Sequence, residues 1–414
     1  MNMNKHICTL LLLATMMISP VINAASAGTF WVGSWAASQQ LPEPRNMLSG
    51  DDVSDSTIRQ IVHLSIGGER IRIVFSNAFG TAPMTIDAAH VALSDDIGTS
   101  RIKSGSDRAI TFSGSGEVII PAGADYTSDP VDMPVAALGN LTVSFHVPDT
   151  IQQQTGHPGS RATSYIVKGN QVAAVELHDA KTIEHWYQLA AVQVETGADG
   201  AAIVALGDSI TDGHGATTNG NDRWPDFLAA RLQSAPRTHH VAVLNQGIGG
   251  NRLLLDGLGP NALARFDRDV IAQPGVRWVI VLEGINDLGT LTRETPVSAD
   301  KHAMLVKRMI AAYQQMIIRA HAHGIKVIGA TILPDGASSY YHPDAANEAD
   351  RTAVNEWIRT PGHFDEVVDL DKVMRDPSHP ERIRPAYDSG DGLHPSPAGY
   401  RVMAEAFPLS LFEE

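Results

Sequence analysis

The chain has 414 residues, 43% of them apolar and 19% charged, which excludes wholesale disorder and allows a large core or two domains. Its formal charge of −15 argues against nucleic acid as the main partner, because phosphates would be repelled. The single cysteine, Cys8, precedes most of an N-terminal apolar run, so the chain beyond it holds neither thiol nor disulfide and must be stabilised by its core.

Residues 1–27 read as a signal peptide. Lys5 supplies the positive start, 10–18 form a short apolar run, and Ile22-Asn23-Ala24 or Ala25-Ser26-Ala27 offers a small-x-small cleavage site. The run is shorter than the roughly 20 residues that a bilayer span takes. The expectation is therefore export to the periplasm or the medium, with no membrane span in the mature chain.

Residues 28–196 show short alternating apolar runs separated by turn residues, and no long helical period. The run 58–66, then Gly67-Gly68, then 70–75 has the pattern of a β-hairpin. Similar runs lie at 118–120 and 141–147. An all-β sandwich or jelly-roll-like domain is expected. Whether it has a ligand of its own or only packs on a catalytic body stays open. Trp31 and Trp35 fit a sugar-stacking platform as well as core or interface anchors.

From 197 to 414, strands alternate with helices. Strands are expected at 202–206, 241–244, 278–282, 327–333 and 367–370. Helices are expected at 223–232, 263–272, 300–323, 345–359 and 397–407. In the long helix, Met309, Tyr313, Met316, Ile317 and Ala320 share one face, and Gly324 is placed to end it. This alternation predicts a parallel sheet covered by helices on both faces.

Four constellations follow strands, at the edge where open parallel sheets bind ligands. In Gly207-Asp208-Ser209-Ile210-Thr211, a serine just past a buried strand sits on a tight turn, in the position of a nucleophile or of a plain N-cap. In Asn245-Gln246-Gly247-Ile248-Gly249-Gly250-Asn251, glycine lets a backbone N–H face an oxyanion, or simply makes a turn. No Gly-Lys-Ser/Thr ending suggests phosphate. In Glu283-Gly284-Ile285-Asn286-Asp287, the Asn286 amide can donate to an oxyanion or cap a helix. In Asp391-Gly392-Leu393-His394, acid and imidazole three apart on a bend can meet through Nδ1, leaving Nε2 for the serine.

Taken in this order, the Ser209 block, Gly250, Asn286 and Asp391-x-x-His394 resemble the four signature blocks of the GDSL, or SGNH, hydrolases. The resemblance covers about 200–410. It implies a flavodoxin-like three-layer α/β/α sandwich and a serine esterase. It also implies Ser209 as nucleophile, His394 as base and Asp391 as orienting acid. The oxyanion donors would be the Ser209 and Gly250 N–H groups and the Asn286 side chain. More loosely, Trp31-Val32-Gly33-Ser34-Trp35, Phe75-Ser76-Asn77-Ala78-Phe79-Gly80 and Trp186-Tyr187 are similar to a secreted two-domain branch associated with acetylated plant polysaccharides such as xylan.

The implied chemistry needs no metal or other cofactor. His239-His240 and His321-x-His323 lack a shared-ligand geometry, since the latter pair faces different sides of a helix. Asp350, Asp369 and Asp371 are expected to be caps or solvated. The expected substrate is a small-molecule or polysaccharide acyl ester. An acyltransferase to sugar hydroxyls, a non-catalytic carbohydrate-binding protein and a long-chain lipase are the alternatives. Oligomeric state has no signature in the sequence.

Overall fold

The computed structural model describes residues 29–413. The expected signal peptide at 1–27 lies outside them. No described helix is long and apolar enough to cross a membrane.

Between Phe30 and Thr196 the chain builds two large antiparallel sheets. One orders Phe30–Ala36, Leu189–Thr196, Gly68–Ser76 and Asp125–Thr127, with Val131–Val135 also paired to Gly68–Ser76. The other orders Lys181–Ile183, Ser164–Lys168, Ser56–His63, Asn140–Val147, Ala88–Leu93 and Arg108–Ala109. Phe75 of the first meets Phe145 of the second edge-on at 5.2 Å, so the sheets face each other across an apolar core.

The expected hairpin at 58–75 does not form. Ser56–His63 pairs with Asn140–Val147 and Ser164–Lys168, whereas Gly68–Ser76 pairs with Leu189–Thr196 in the opposite sheet. The Gly67-Gly68 step carries the chain from one layer to the other. A side chain on Gly67 would stand 2.5 Å from the Val135 carbonyl. The physical reason is burial. Side by side, the two runs would lay both apolar faces on one side of one sheet, while arched over they bury Ile58 and Val62 in the same core as Ile71, Ile73 and Phe75.

Beyond 200 the sheet is parallel, in the order Val241–Gly247, Ala201–Gly207, Val276–Leu282, Lys326–Ala330, Glu366–Val368. The second strand in the chain lies on one side of the first and the rest on the other. With right-handed crossovers, this puts Trp224–Ser234 on one face and Ala299–Ala322 and Ala345–Arg359 on the other. Ala201–Gly207 is buried at every residue, as a strand covered on both faces must be. The expected long helix runs Ala299–Ala322 with Met309, Tyr313, Met316, Ile317 and Ala320 buried, and Gly324 follows at φ 71°. The helix expected at 263–272 instead breaks into Ala262–Phe266 and a π-turn at Asp267–Ile271, where Ala272 N–H reaches back to Asp267 O.

The strand Phe30–Ala36 lies over the edge strand of the parallel sheet. Gly33 N–H donates to Pro274 O at 3.1 Å, and a side chain on Gly33 would meet Leu244 at 2.8 Å. One apolar core runs continuously from Val32 to Phe412.

Candidate active site

The strand Ala201–Gly207 ends in a one-turn helix, Ser209–Asp212. Asp208 caps it by accepting from Ile210 N–H at 2.8 Å, and Gly213 leaves it at φ 98°. Ser209 is thereby held at the carboxyl edge of the sheet, where the strand order reverses. Its Oγ lies 2.8 Å from His394 Nε2.

His394 comes from the loop before helix Pro397–Glu405. Its Nδ1 is 2.6 Å from Asp391 Oδ2, and Asp391 Oδ1 accepts the N–H groups of Leu393 and His394 at 2.9 and 2.8 Å. Burial alone would raise the Asp391 carboxyl. The hydrogen bonds from the His394 ring and backbone outweigh it and hold Asp391 well below the ordinary carboxylate range. The His394 ring is thus fixed with Nε2 toward the serine. Asp388 Oδ1 closes the loop, accepting from Gly390 and Gly392 N–H.

Asn286 lies in the first turn of helix Ile285–Thr292, just past strand Val276–Leu282. Its amide is oriented from two sides: Nδ2 donates to Asn251 O at 2.7 Å and Oδ1 accepts from Tyr341 Oη at 2.6 Å. The second Nδ2 hydrogen remains for a ligand. Gly250 has φ 75°, and a side chain there would stand 2.3 Å from Leu258. The N–H groups of Ser209 and Gly250 meet no acceptor among the described residues.

Beneath these loops Arg265, fully buried, donates to Gly207 O at 2.9 Å, Gln246 O at 2.6 Å and Asn251 Oδ1 at 2.9 Å, tying two strand ends and the glycine loop together. Asp287 accepts from Leu253 and Leu254 N–H, joining the Asn286 helix to the loop after Gly250. Burial pushes Asp287 up to about 6 and Asp208 to about 7. It also lifts Glu283 well above the usual carboxylate range, with the Asp208 carboxyl adding to the effect. Glu283 Oε2 is buried without a hydrogen-bond partner among the described residues.

Ser209, Gly250, Asn286, Asp391 and His394 all border one cavity of about 830 Å³. Several of its other lining residues carry no motif and were not singled out from sequence. Tyr341 aims Asn286. His214 lays its ring 4.1 Å from that of His394, with Nε2 3.9 Å from Asp391. Burial, then the nearby His394 and Arg161 charges, push His214 down to about 4, so it is neutral near pH 7. His214, Asp391 and His394 are also the group with metal-ligand spacing among the described residues, but both ring nitrogens of His394 are already engaged, by Ser209 and by Asp391.

Among the three acids expected to be caps or solvated, one fits that expectation and two depart from it. Asp369 does cap a helix, accepting from Lys372 N–H. Asp350 instead lies buried 2.5 Å from His302 Nδ1, and Asp371 is buried between Arg351 and Arg359. Trp35 is buried edge-on to Trp186 at 4.8 Å, and Trp31 lies under the Arg72 guanidinium. Neither tryptophan borders the cavity.

Residues 205–402 match the model of the GDSL-like lipase/acylhydrolase family. An acetylxylan esterase from Geobacillus stearothermophilus is 24% identical over 218 residues, 50% of this chain and 92% of that protein. A crystal structure of an acetylxylan esterase from the same organism aligns with a TM-score of 0.39 at 23% identity, covering 52% of this chain and 96% of the other. A putative lipolytic protein of the G-D-S-L family from Desulfitobacterium hafniense aligns with a TM-score of 0.37 at 23% identity, covering 50% and 97%.

Proposed function

Residues 205–402 belong to the GDSL-like lipase/acylhydrolase family and make this chain a carboxylic ester hydrolase, and on that premise we propose that it removes short acyl groups, chiefly acetyl, from polysaccharide hydroxyls. The observation that carries the reading is the hydrogen-bonded line from Ser209 Oγ to His394 Nε2, and from His394 Nδ1 to Asp391, at the edge of an open cavity.

In this reading His394 takes the Ser209 proton as Oγ attacks the ester carbonyl. The carbonyl oxygen gains charge, which the Ser209 and Gly250 N–H groups and the Asn286 amide stabilise. A preorganised donor of this kind lowers the barrier by about 3 kcal/mol. As the intermediate collapses and the bond from the carbonyl carbon to the sugar oxygen breaks, His394, now protonated, gives its proton to that oxygen, which leaves as the sugar hydroxyl. A water activated by His394 then cleaves the acyl-serine and restores Oγ–H. Asp391 stays ionised and balances the imidazolium.

Two features favour a sugar substrate. The similar protein from G. stearothermophilus is named as an acetylxylan esterase. Tyr340, 55% exposed on the cavity rim beside Tyr341, has the Arg293 guanidinium 5.2 Å from its ring and hydrogen-bonded to its Oη, so the rim pairs an aromatic ring with hydrogen-bond donors, as sugar sites do. We also take 28–196 and 197–414 as two domains sharing one cleft, and place the protein outside the cytoplasm on the strength of the leader pattern at 1–27.

Acid release from acetylated xylan, acetylated pectin and tributyrin, measured side by side with Ser209→Ala as control, tests the reading. Faster release from a polysaccharide than from tributyrin is expected. No release from either polysaccharide by an otherwise active esterase removes the sugar substrate.

A further inference from the structure

We infer that the cleft contains a carboxylate subsite, so that the sugar carrying the cleaved ester is a uronic acid; this rests on the esterase reading above. The charge distribution points there. The chain as a whole is strongly acidic, yet Arg45, Arg161, Arg252 and Arg293 all border the cavity that contains Ser209. An acidic polymer approaching an acidic protein needs a local positive field, and a concave site concentrates one.

The acids on the same lining, Glu43, Asp212 and Asp391, are fewer than these four cations. Asp212 is held by His157 and Asp391 by His394. Glu43 accepts from Gln40 and Asn46 side chains at 3.2 and 2.5 Å. Among the described residues, Arg45, Arg161 and Arg252 have no carboxylate within ion-pair distance. The buried guanidiniums elsewhere differ in this respect: Arg265 pairs with Asp269, and Arg351 with Asp371. Unpaired guanidinium forks on the walls of a cleft suit a planar carboxylate, which accepts two parallel N–H bonds.

Arg161 is the centre of the argument. Its Nε is buried without a hydrogen-bond partner among the described residues, as are those of Arg72, Arg223 and Arg384, and of these four only Arg161 borders the cavity. Its backbone sits at φ 49°, which a side chain other than glycine rarely adopts without a compensating role. Its Nη2 lies 3.3 Å from His214 Nδ1, and the His214 ring packs on His394. Arg161 is thus two side chains from the nucleophile, close enough to hold a carboxylate on the reacting sugar. Arg45 and Arg161 come from the antiparallel part and Arg252 from the loop after Gly250, so the two halves of the chain supply different walls of the subsite.

The test compares kcat/KM for monoacetylated methyl glucuronide and monoacetylated methyl glucoside, with p-nitrophenyl acetate alongside. It uses the wild type, Arg161→Ala, Arg161→Lys and the exposed-site variant Arg45→Ala. The wild type is expected to favour the glucuronide by about tenfold or more, with the preference shrinking as salt is raised. Arg161→Ala brings the ratio toward one, Arg161→Lys keeps part of it, and Arg45→Ala lowers it. Equal rates on the two sugars in the wild type overturn the inference. So does a ratio that neither Arg161→Ala nor Arg45→Ala moves. Cleavage of p-nitrophenyl acetate with no preference between the sugars leaves the esterase reading standing and removes the subsite alone. No cleavage of any of the three esters removes both.

Discussion

His157 Nε2 lies 2.8 Å from Asp212 Oδ1, so a residue of the antiparallel part holds the turn that carries Ser209. Both groups are buried, and the other ring nitrogen faces Ser38 O at 2.8 Å. Burial would raise Asp212, but the His157 charge and hydrogen bond more than offset it and leave the carboxyl below its ordinary range. His157→Phe keeps ring volume against Trp186 and strands a buried carboxylate. The expected loss is about 3–5 kcal/mol of stability, read by chemical denaturation, together with a lower kcat. A variant as stable and as active as the wild type would show that the contact positions nothing.

The Asn286 amide is aimed by Tyr341 and Asn251. Asn286→Ala is expected to lower kcat by about 100- to 1,000-fold with little change in KM. Tyr341→Phe removes the donor to Oδ1 but leaves the amide in place, so kcat should fall by about tenfold. Steady-state kinetics on a soluble acetyl ester checks both. A larger effect from Tyr341→Phe than from Asn286→Ala would invert the assignment.

The buried acids make stability depend on pH. Burial raises Glu283, so the folded chain keeps a proton that the unfolded chain gives up above the ordinary glutamate value. This contribution is whole below that value and is lost as pH rises through the higher folded value. Asp287, at about 6, and Asp208, at about 7, act in the same direction. The melting temperature should therefore fall as pH rises from the ordinary carboxylate range through about 7 and beyond, and Glu283→Gln should flatten that fall by stabilising the alkaline end. Parallel melting curves for the two proteins would mean that Glu283 is ionised throughout.

In the proposed mechanism His394 carries the proton, while Asp391 only orients and balances it. His394→Ala should cost about 10⁴-fold or more in kcat, and Asp391→Asn less. The comparison is made on one ester at one pH with matched folded fractions. Equal losses would mean that Asp391 does more than hold the ring.

The site was legible because its side chains are placed by local chemistry. Ser209, Gly250 and Asn286 each follow an apolar run that can only be a buried strand, and Asp391 and His394 are close in sequence. Residues that act across the fold left no such trace. Tyr341, His214 and Arg161 lie in loops without periodicity, and they reach the cavity only once the sheet order is known. The Gly67-Gly68 step shows the same limit in the fold itself. Two alternating runs joined by glycines fit a hairpin and an arch between sheets equally well, and the choice depends on strands as distant as Leu189–Thr196. Asp350 and Asp371 read from sequence as caps or solvated acids because their partners, His302 and Arg351, lie 48 and 20 residues away.

Labelling with a fluorophosphonate, a reagent that traps activated serines, tests the central claim most directly. Peptide mass analysis should find one adduct per chain, on Ser209, forming far more slowly in His394→Ala. A fully active protein labelled at another residue, or equal labelling of Ser209 with and without the His394 ring, would contradict the account.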